Sequence, residues 1–125
     1  MTESFIIPYP KSDAGKKQWT REYGLNAYWA GKHWTKRKKD AEYWHRIVRS
    51  EMERQKARKV PFTNAVIITF YWNSRLDLSN HSAMAKMIED AMCGRVIKDD
   101  SRRYVRGIEH YFHDGDHIRV VIREV

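Results

Sequence analysis

The sequence contains little of what defines several large classes of protein. Cys93 is the only cysteine, which excludes an intrachain disulfide and a zinc site built on several cysteines. The longest apolar run, residues 65–72, is far shorter than the roughly 20 residues of a membrane-spanning helix. No glycine-rich phosphate loop occurs, so nucleoside triphosphate hydrolysis has no support. The acidic amino end also breaks at Pro8, too early for a signal peptide. We therefore expect a cytoplasmic protein without membrane contact or a small-molecule substrate.

The composition supports a folded domain. Of the 125 residues, 42% are hydrophobic and 13% aromatic, which is enough apolar material for a core. A chain of this length buries about two thirds of its unfolded surface as one unit. We therefore expect a single domain that spans residues 1–125.

The net charge of +8 lies entirely in the first half of the chain. Residues 1–60 hold 15 Lys+Arg and 7 Asp+Glu, whereas residues 61–125 hold 9 of each. The basic half is also rich in Trp and Tyr, and cations together with exposed aromatic rings are typical of nucleic-acid surfaces. The alternative is a solvated helix face whose aromatic neighbours belong to the core. The predicted DNA-binding side chains in this half are Lys32, Lys36, Arg37, Lys38 and Lys39.

The first half predicts one strand and one helix. Residues 5–7 indicate a short strand near a sheet edge, because prolines follow it. Residues 11–34 show no clear periodicity and predict a long loop, either functional or disordered. Thr35 can cap a helix that continues to about Ala57. Its apolar stripe consists of Trp44, Ile47, Val48 and Met52.

The second half predicts three strands and a helix. Residues 65–72 are β-branched and aromatic, which favours a buried central strand. Ser79 or Asn80 can cap a second helix, which Gly94 ends. Residues 105–113 and 117–125 then predict a hairpin around a short glycine-containing turn. The chain is therefore expected to be an α+β domain: a small mixed sheet of about four strands packed against two main helices.

Acidic residues surround the second predicted helix. Asp77 precedes it, Glu89 and Asp90 lie on its polar face, and Asp99 and Asp100 follow it. If the crossover brings its two ends together, these carboxylates converge, and two of them 4 Å apart repel by about 4 kcal/mol at an effective dielectric of 20. Mg²⁺ suits such a group of oxygen ligands. The alternative is that they are ordinary turn, capping and surface residues.

The order of motifs in the second half resembles the RusA family of Holliday-junction resolvases. That family's pattern runs Asp-x-Asp-Asn, Lys, Asp-Ala-Leu, Gly and Asp-Asp. The resemblance covers residues 65–125 well and the first half loosely. The corresponding segments here are Asp77-Leu78-Ser79-Asn80, Lys86, Asp90-Ala91-Met92, Asp99-Asp100-Ser101 and Tyr104-Val105-Arg106-Gly107.

The resemblance implies a homodimeric endodeoxyribonuclease that depends on Mg²⁺, or on Mn²⁺, and resolves four-way DNA junctions in recombination and repair, often in prophage settings. By the same resemblance Asp77, Asp99, Asp100 and Lys86 are catalytic. Asp77, Asp90, Asp99 and Asp100 are the implied metal ligands, and Asn80 and Lys86 are implied to contact DNA.

One position departs from the family pattern. Ser79 stands where the family has its second motif aspartate, and a hydroxyl cannot supply a carboxylate's charge. Either Asp90, Glu89 or Asp99 compensates, or catalysis is weakened or lost and the protein only binds junction or duplex DNA. Further alternatives are a nuclease for flaps or RNA and a small regulatory protein without metal.

Overall fold

The computed structural model describes all residues from 1 to 125 and shows an α+β fold with four α-helices and a four-stranded mixed sheet, as predicted. The strands are β1 (Thr2–Pro8), β2 (Val66–Trp72), β3 (Val105–Phe112) and β4 (His117–Glu124). The helices are α1 (Asp13–Tyr23), α2 (Leu25–Trp29), α3 (Trp34–Arg54) and α4 (Ser82–Met92), and a 3-10 helix over Leu78–His81 leads into α4.

The sheet has the strand order β1-β4-β2-β3. β4 is antiparallel to both of its neighbours, β1 and β2. β3 is parallel to β2 and forms one edge of the sheet, while β1 forms the other. The predictions of a central strand at β2 and an edge strand at β1 are therefore confirmed.

The core lies between one face of the sheet and the helices α3 and α4. Alternate residues of β2 point into it, and all four, from Val66 to Trp72, are fully buried. The predicted stripe of α3 supplies Trp44, Val48 and Met52, each fully buried. The alternating side chains of β2 and the apolar stripe of α3 therefore face the same core.

The segment predicted as a long loop is helical, and that prediction is wrong. The Ser12 hydroxyl caps α1 by accepting a hydrogen bond from the Gly15 N–H at 3.0 Å. Trp19 packs on Trp44 with ring centroids 4.8 Å apart and also meets Tyr9 and Tyr23. Tertiary packing of these rings offsets the weak helical tendency of a glycine-containing segment.

The predicted hairpin between the last two strands is also wrong, because β2 lies between β3 and β4. The connection from His113 to Asp116 passes over the end of β2: the His113 N–H donates to the Trp72 carbonyl at 3.0 Å, and the Asn73 side chain donates to the Gly115 carbonyl at 2.9 Å. Both strands exist as predicted, but each pairs with β2.

Helix ends differ in detail from the predicted caps. α3 begins at Trp34, and the His33 ring accepts from the Thr35 N–H at 3.2 Å, so His33 rather than Thr35 is the cap. The 3-10 helix runs directly into α4 without a side-chain cap from Ser79 or Asn80. Gly94, with φ +85°, follows the end of α4 as predicted.

None of the helices has both the length and the hydrophobicity needed to cross a membrane.

Candidate active site

Helix α4 carries the candidate site on the side opposite its apolar stripe. Met84, Met87, Ile88 and Ala91 recur at the spacing of one helix face and are buried, as predicted. Lys86 and Asp90 are exposed on the other side. Glu89 was predicted on the polar face, yet only 5% of it is exposed, and it is the only buried acidic residue in the chain.

Three carboxylates meet at the end of this helix. One oxygen from each of Glu89, Asp90 and Asp100 lies within 4.8 Å of the others, and we call these three residues the acidic cluster. The Lys86 ammonium contacts all of them: Nζ lies 3.0 Å from Asp90 Oδ1 and 3.5 Å from Glu89 Oε1, and it hydrogen-bonds to Asp100 Oδ2. The helical spacing places Lys86 one turn before the two α4 carboxylates, and the turn before β3 brings Asp100 to it.

The charges of the cluster perturb its protonation. The hydrogen bond from Lys86 lowers the pKa of Asp100, and the same contact raises the pKa of Lys86. Burial raises the pKa of Glu89, with the neighbouring Asp100 and Asp90 acting in the same direction and Lys86 against them. The ammonium therefore offsets a repulsion that would otherwise drive the carboxylates apart.

The acidic cluster has the donor chemistry of a magnesium site. Mg²⁺ binds oxygen ligands at 2.0–2.1 Å, so two ligands on opposite sides of the ion lie about 4.2 Å apart. Adjacent ligands lie about 3 Å apart, so the oxygens of Glu89, Asp90 and Asp100, all within 4.8 Å of one another, would have to draw closer to share one ion. Lys86 occupies the same neighbourhood, so a bound divalent cation would compete with its ammonium for these carboxylates.

Asp77 lies apart from the acidic cluster. It follows the carboxyl end of β2, whereas Asp100 precedes the amino end of β3. Because β2 and β3 are parallel, the connection between them leaves the sheet at one end and returns at the other. The 11 residues of α4 span about 16 Å between these ends. The acidic cluster accordingly does not include Asp77, whose carboxylate is exposed without a hydrogen bond or ion pair.

Asp99 has a local role in the turn before β3. Its Oδ1 accepts a hydrogen bond from the Ser101 N–H at 2.7 Å. The Ser101 side chain and, to a smaller extent, this N–H lower the pKa of Asp99. It is not a member of the acidic cluster. A role for Asp77 or Asp99 as a metal ligand stays a prediction.

The predicted basic surface lies near the amino end of α3. Lys36, Arg37, Lys38 and Lys39 are exposed, and none forms an ion pair. No acidic residue accompanies them in the first turn of α3. Cations near a helix amino end oppose the helix dipole by about 0.3–1 kcal/mol each. These four residues, which we call the basic turn, therefore do not serve the stability of α3 and remain free for an anionic partner.

Lys32 is separate from that surface. Its ammonium is largely buried, hydrogen-bonds to the Glu22 carbonyl at 2.8 Å and pairs with Asp40. It also lies 5.0 Å from the centre of the Tyr28 ring. Lys32 thus ties the end of α1 to α3, so the structure does not support its predicted contact with DNA. Asn80 is half-buried in the 3-10 helix, and its predicted contact with DNA stays a prediction.

A second set of cations surrounds the turn that holds Asp100. Lys98, Arg102, Arg103 and Arg106 are exposed, and none forms an ion pair. This set was not predicted from the sequence, because residues 61–125 have no net charge. The signal was nevertheless present, since four cations lie within seven residues of Asp99. They flank Asp100 in the sequence, and exposed cations of this kind attract phosphates.

Comparison with known proteins leaves the family open: no protein-family model matches the chain, and no curated protein is significantly similar to it in sequence.

Proposed function

We propose that this protein is a Mg²⁺-dependent, structure-selective endodeoxyribonuclease that resolves Holliday junctions as a homodimer. The observation that carries the proposal is the acidic cluster of Glu89, Asp90 and Asp100 around Lys86. Carboxylates next to a lysine suit phosphodiester hydrolysis, because the reaction needs a metal and a cation for the developing negative charge. The motif order that resembles the RusA family supports the same reaction.

Each residue of the cluster has a distinct task in this proposal. Asp90 and Asp100 hold the metal from the exposed side, and the buried Glu89 supplies the third oxygen. When bound, Mg²⁺ supplies Lewis acidity toward water and the attacked phosphate. Lys86, whose side chain is 56% exposed, can turn from the carboxylates to the phosphate and stabilise the negative charge that develops on it.

Helix α3 connects the acidic cluster to the basic turn. Arg49 of α3 donates to the carbonyls of Ala91 at 2.6 Å and Cys93 at 2.7 Å, at the end of α4 that carries the cluster. Lys36 lies 13 positions before Arg49, which corresponds to about 20 Å along the helix. That is about six base pairs at 3.4 Å each. One arm of DNA could therefore reach both the basic turn and the acidic cluster.

The two edges of the sheet differ in a way that suggests where two copies meet. The Gln55 amide covers β1 by accepting from the Ile6 N–H at 2.9 Å and donating to the Ile6 carbonyl at 2.8 Å. β3 has no such cover, and Ile108, Tyr111 and Phe112 are 46%, 48% and 52% exposed. Open apolar edges favour association. A twofold junction requires a twofold protein, so we assign the dimer contact to β3.

The second candidate is a junction- or duplex-DNA-binding protein with weakened or lost catalysis. Two observations favour it: Ser79 replaces a motif aspartate, and Lys86 already neutralises part of the acidic cluster without a metal. On this alternative, salt-sensitive binding to DNA persists while no divalent cation produces cleavage.

Incubation of the protein with a labelled four-way junction and MgCl₂ distinguishes the two candidates. We expect nicks in two opposing strands, and Asp100→Asn is expected to abolish them because it removes a ligand charge and the partner of Lys86. Asp114→Asn, an exposed position in the turn between β3 and β4, is the matched control and should cleave normally.

Each outcome has a defined meaning. Junction binding without nicks favours the second candidate, and equal nicking by Asp100→Asn contradicts the assignment of the site. A parallel substrate panel includes flaps and RNA. Preferential cleavage of either would support the proposed hydrolysis but contradict the four-way junction as its substrate.

A further inference from the structure

Two of the five tryptophans are exposed to an unusual extent. Trp44 and Trp72 are fully buried, and Trp19 is half-buried within the aromatic cluster around Trp44. Trp29 and Trp34, by contrast, are 81% and 62% exposed. An exposed indole leaves a large apolar ring in water, so two of them near each other in sequence indicate a binding surface rather than a core.

The backbone holds both indoles in place. Trp29 ends α2 and Trp34 begins α3, and the tight turn between them is closed by the Gly31 N–H donating to the Tyr28 carbonyl at 3.1 Å. Gly31 has φ +94°, a conformation that favours glycine. The largely buried ion pair between Lys32 and Asp40 fixes the middle of this turn. The two rings are therefore presented by an ordered element, which lowers the entropic cost of binding a ligand.

The surroundings of the indoles select the chemistry of the ligand. The basic turn begins two residues after Trp34, and its four cations form no ion pair. An apolar protein partner would have to desolvate those charges, whereas a polyanion gains from them. Among polyanions, nucleic acid also offers flat rings for stacking. Paired bases hide their faces within a duplex, so only unpaired bases can reach an indole.

We propose that Trp29 and Trp34 bind unpaired nucleobases by stacking, while the basic turn holds the phosphates of the same strand. This inference rests on the proposed function to the extent that DNA is the substrate, and it names the part of the substrate that this surface recognises. Where bases near a branch point are unpaired, the platform would favour branched DNA over a continuous duplex.

Fluorescence anisotropy in EDTA tests the platform without cleavage. The probes are a thymidine oligonucleotide of about 20 nucleotides and a blunt duplex of similar length. Trp29→Ala and Trp34→Ala are each expected to weaken binding to the oligonucleotide by about fivefold or more, with little change for the duplex. Trp34→Phe keeps an aromatic face and should retain most of the affinity. Val60→Ala, at an exposed apolar side chain outside β3 and the basic turn, is the control and should change neither affinity.

The phosphate contribution is measured by salt dependence. The double variant Lys36→Ala/Lys38→Ala should weaken both probes and reduce the slope of log affinity against log salt by about two. Equal losses on duplex and oligonucleotide in the tryptophan variants, or no loss at all, would overturn the stacking proposal. So would tighter, tryptophan-dependent binding to poly-glutamate, which would indicate an acidic protein as the partner.

The two proposals fail independently. If the junction is never nicked but oligonucleotide binding depends on both tryptophans, the catalytic proposal fails and the stacking platform stands. If Asp100→Asn abolishes nicking while both Trp→Ala variants bind normally, the platform alone fails.

Discussion

Lys86 stabilises the acidic cluster, and in the proposed function the same residue also serves catalysis. Its ammonium contacts three carboxylates that would otherwise repel, and this makes the acidic cluster possible before any metal arrives. A divalent cation carries more charge to the same place and would release the lysine toward a phosphate. One side chain could thus stabilise the free site and serve the reaction.

The buried Glu89 leads to a prediction about pH. Burial raises its pKa, and a proton competes with Mg²⁺ for the carboxylate. The Mg²⁺ affinity should therefore fall on acidification at a pH above the ordinary glutamate value of about 4.3. Glu89→Gln removes this competition, so the Mg²⁺ affinity of the variant should be weaker near neutral pH but should depend less on pH. Calorimetric Mg²⁺ titrations at several pH values measure both effects.

Glu42→Gln is the control for that experiment, because Glu42 is exposed on α3 and takes part in no hydrogen bond or ion pair. Its titration should follow that of the unaltered protein. An unchanged pH dependence in Glu89→Gln would show that Glu89 has no part in metal binding.

At the scale of elements, Arg95 fastens the segment after α4 to the end of α3. It is only 8% exposed, and its guanidinium donates to the Ala57 carbonyl at 2.9 Å and to Glu53 Oε2 at 2.8 Å. The same segment continues to Asp100, so its position decides whether the acidic cluster forms. The contact joins parts of the chain that are 38 residues apart, which no local pattern reveals.

Arg95→Met is expected to lower the free energy of unfolding by about 2 kcal/mol, because buried carbonyls lose charged hydrogen bonds. Lys59→Met is the matched control, since Lys59 pairs with the same Glu53 at 3.5 Å but is 70% exposed. The control should change stability by less than about 0.5 kcal/mol. Urea unfolding measures both, and equal effects would show that burial of Arg95 is irrelevant.

At the scale of the whole molecule, the open edge of β3 predicts an effect on assembly. Ile108→Glu places a charge in the proposed dimer contact, and because Ile108 is already 46% exposed the monomer should remain folded. Sedimentation should show a shift from dimer to monomer, and paired nicking should become single and uncoordinated. Val60→Glu, at a side chain that is 69% exposed, is the control and should stay dimeric. A monomeric unaltered protein, or a dimeric Ile108→Glu, would contradict the assignment of β3.

The sequence predicted the elements whose burial pattern is local. Met84, Met87, Ile88 and Ala91 repeat at the helical spacing and are buried as expected. The β2 strand was identified by its run of β-branched and aromatic residues. α1 was not predicted, because it has no buried residue and its stability depends on Trp19 packing against rings from distant segments.

The candidate site was predicted in part. Lys86, Asp90 and Asp100 lie together as the motif order implied, and Glu89 joins them from the side of α4. Asp77 does not, because parallel pairing of β2 and β3 sends the two ends of the crossover to opposite ends of the sheet. Strand direction is a property of pairing, and alternation within one strand carries no information about it.

By itself, the sequence determined an α+β fold, an excess of positive charge in its first half and a group of acidic residues around one helix, because composition and periodicity are local properties. Only the tertiary structure decided which strands pair, which cations stay free and which carboxylates meet. It left the basic turn unpaired, turned Lys32 inward and exposed Trp29 and Trp34. Those outcomes depend on contacts between residues far apart in the chain, because such contacts determine which side chains are exposed to solvent and which charges are paired.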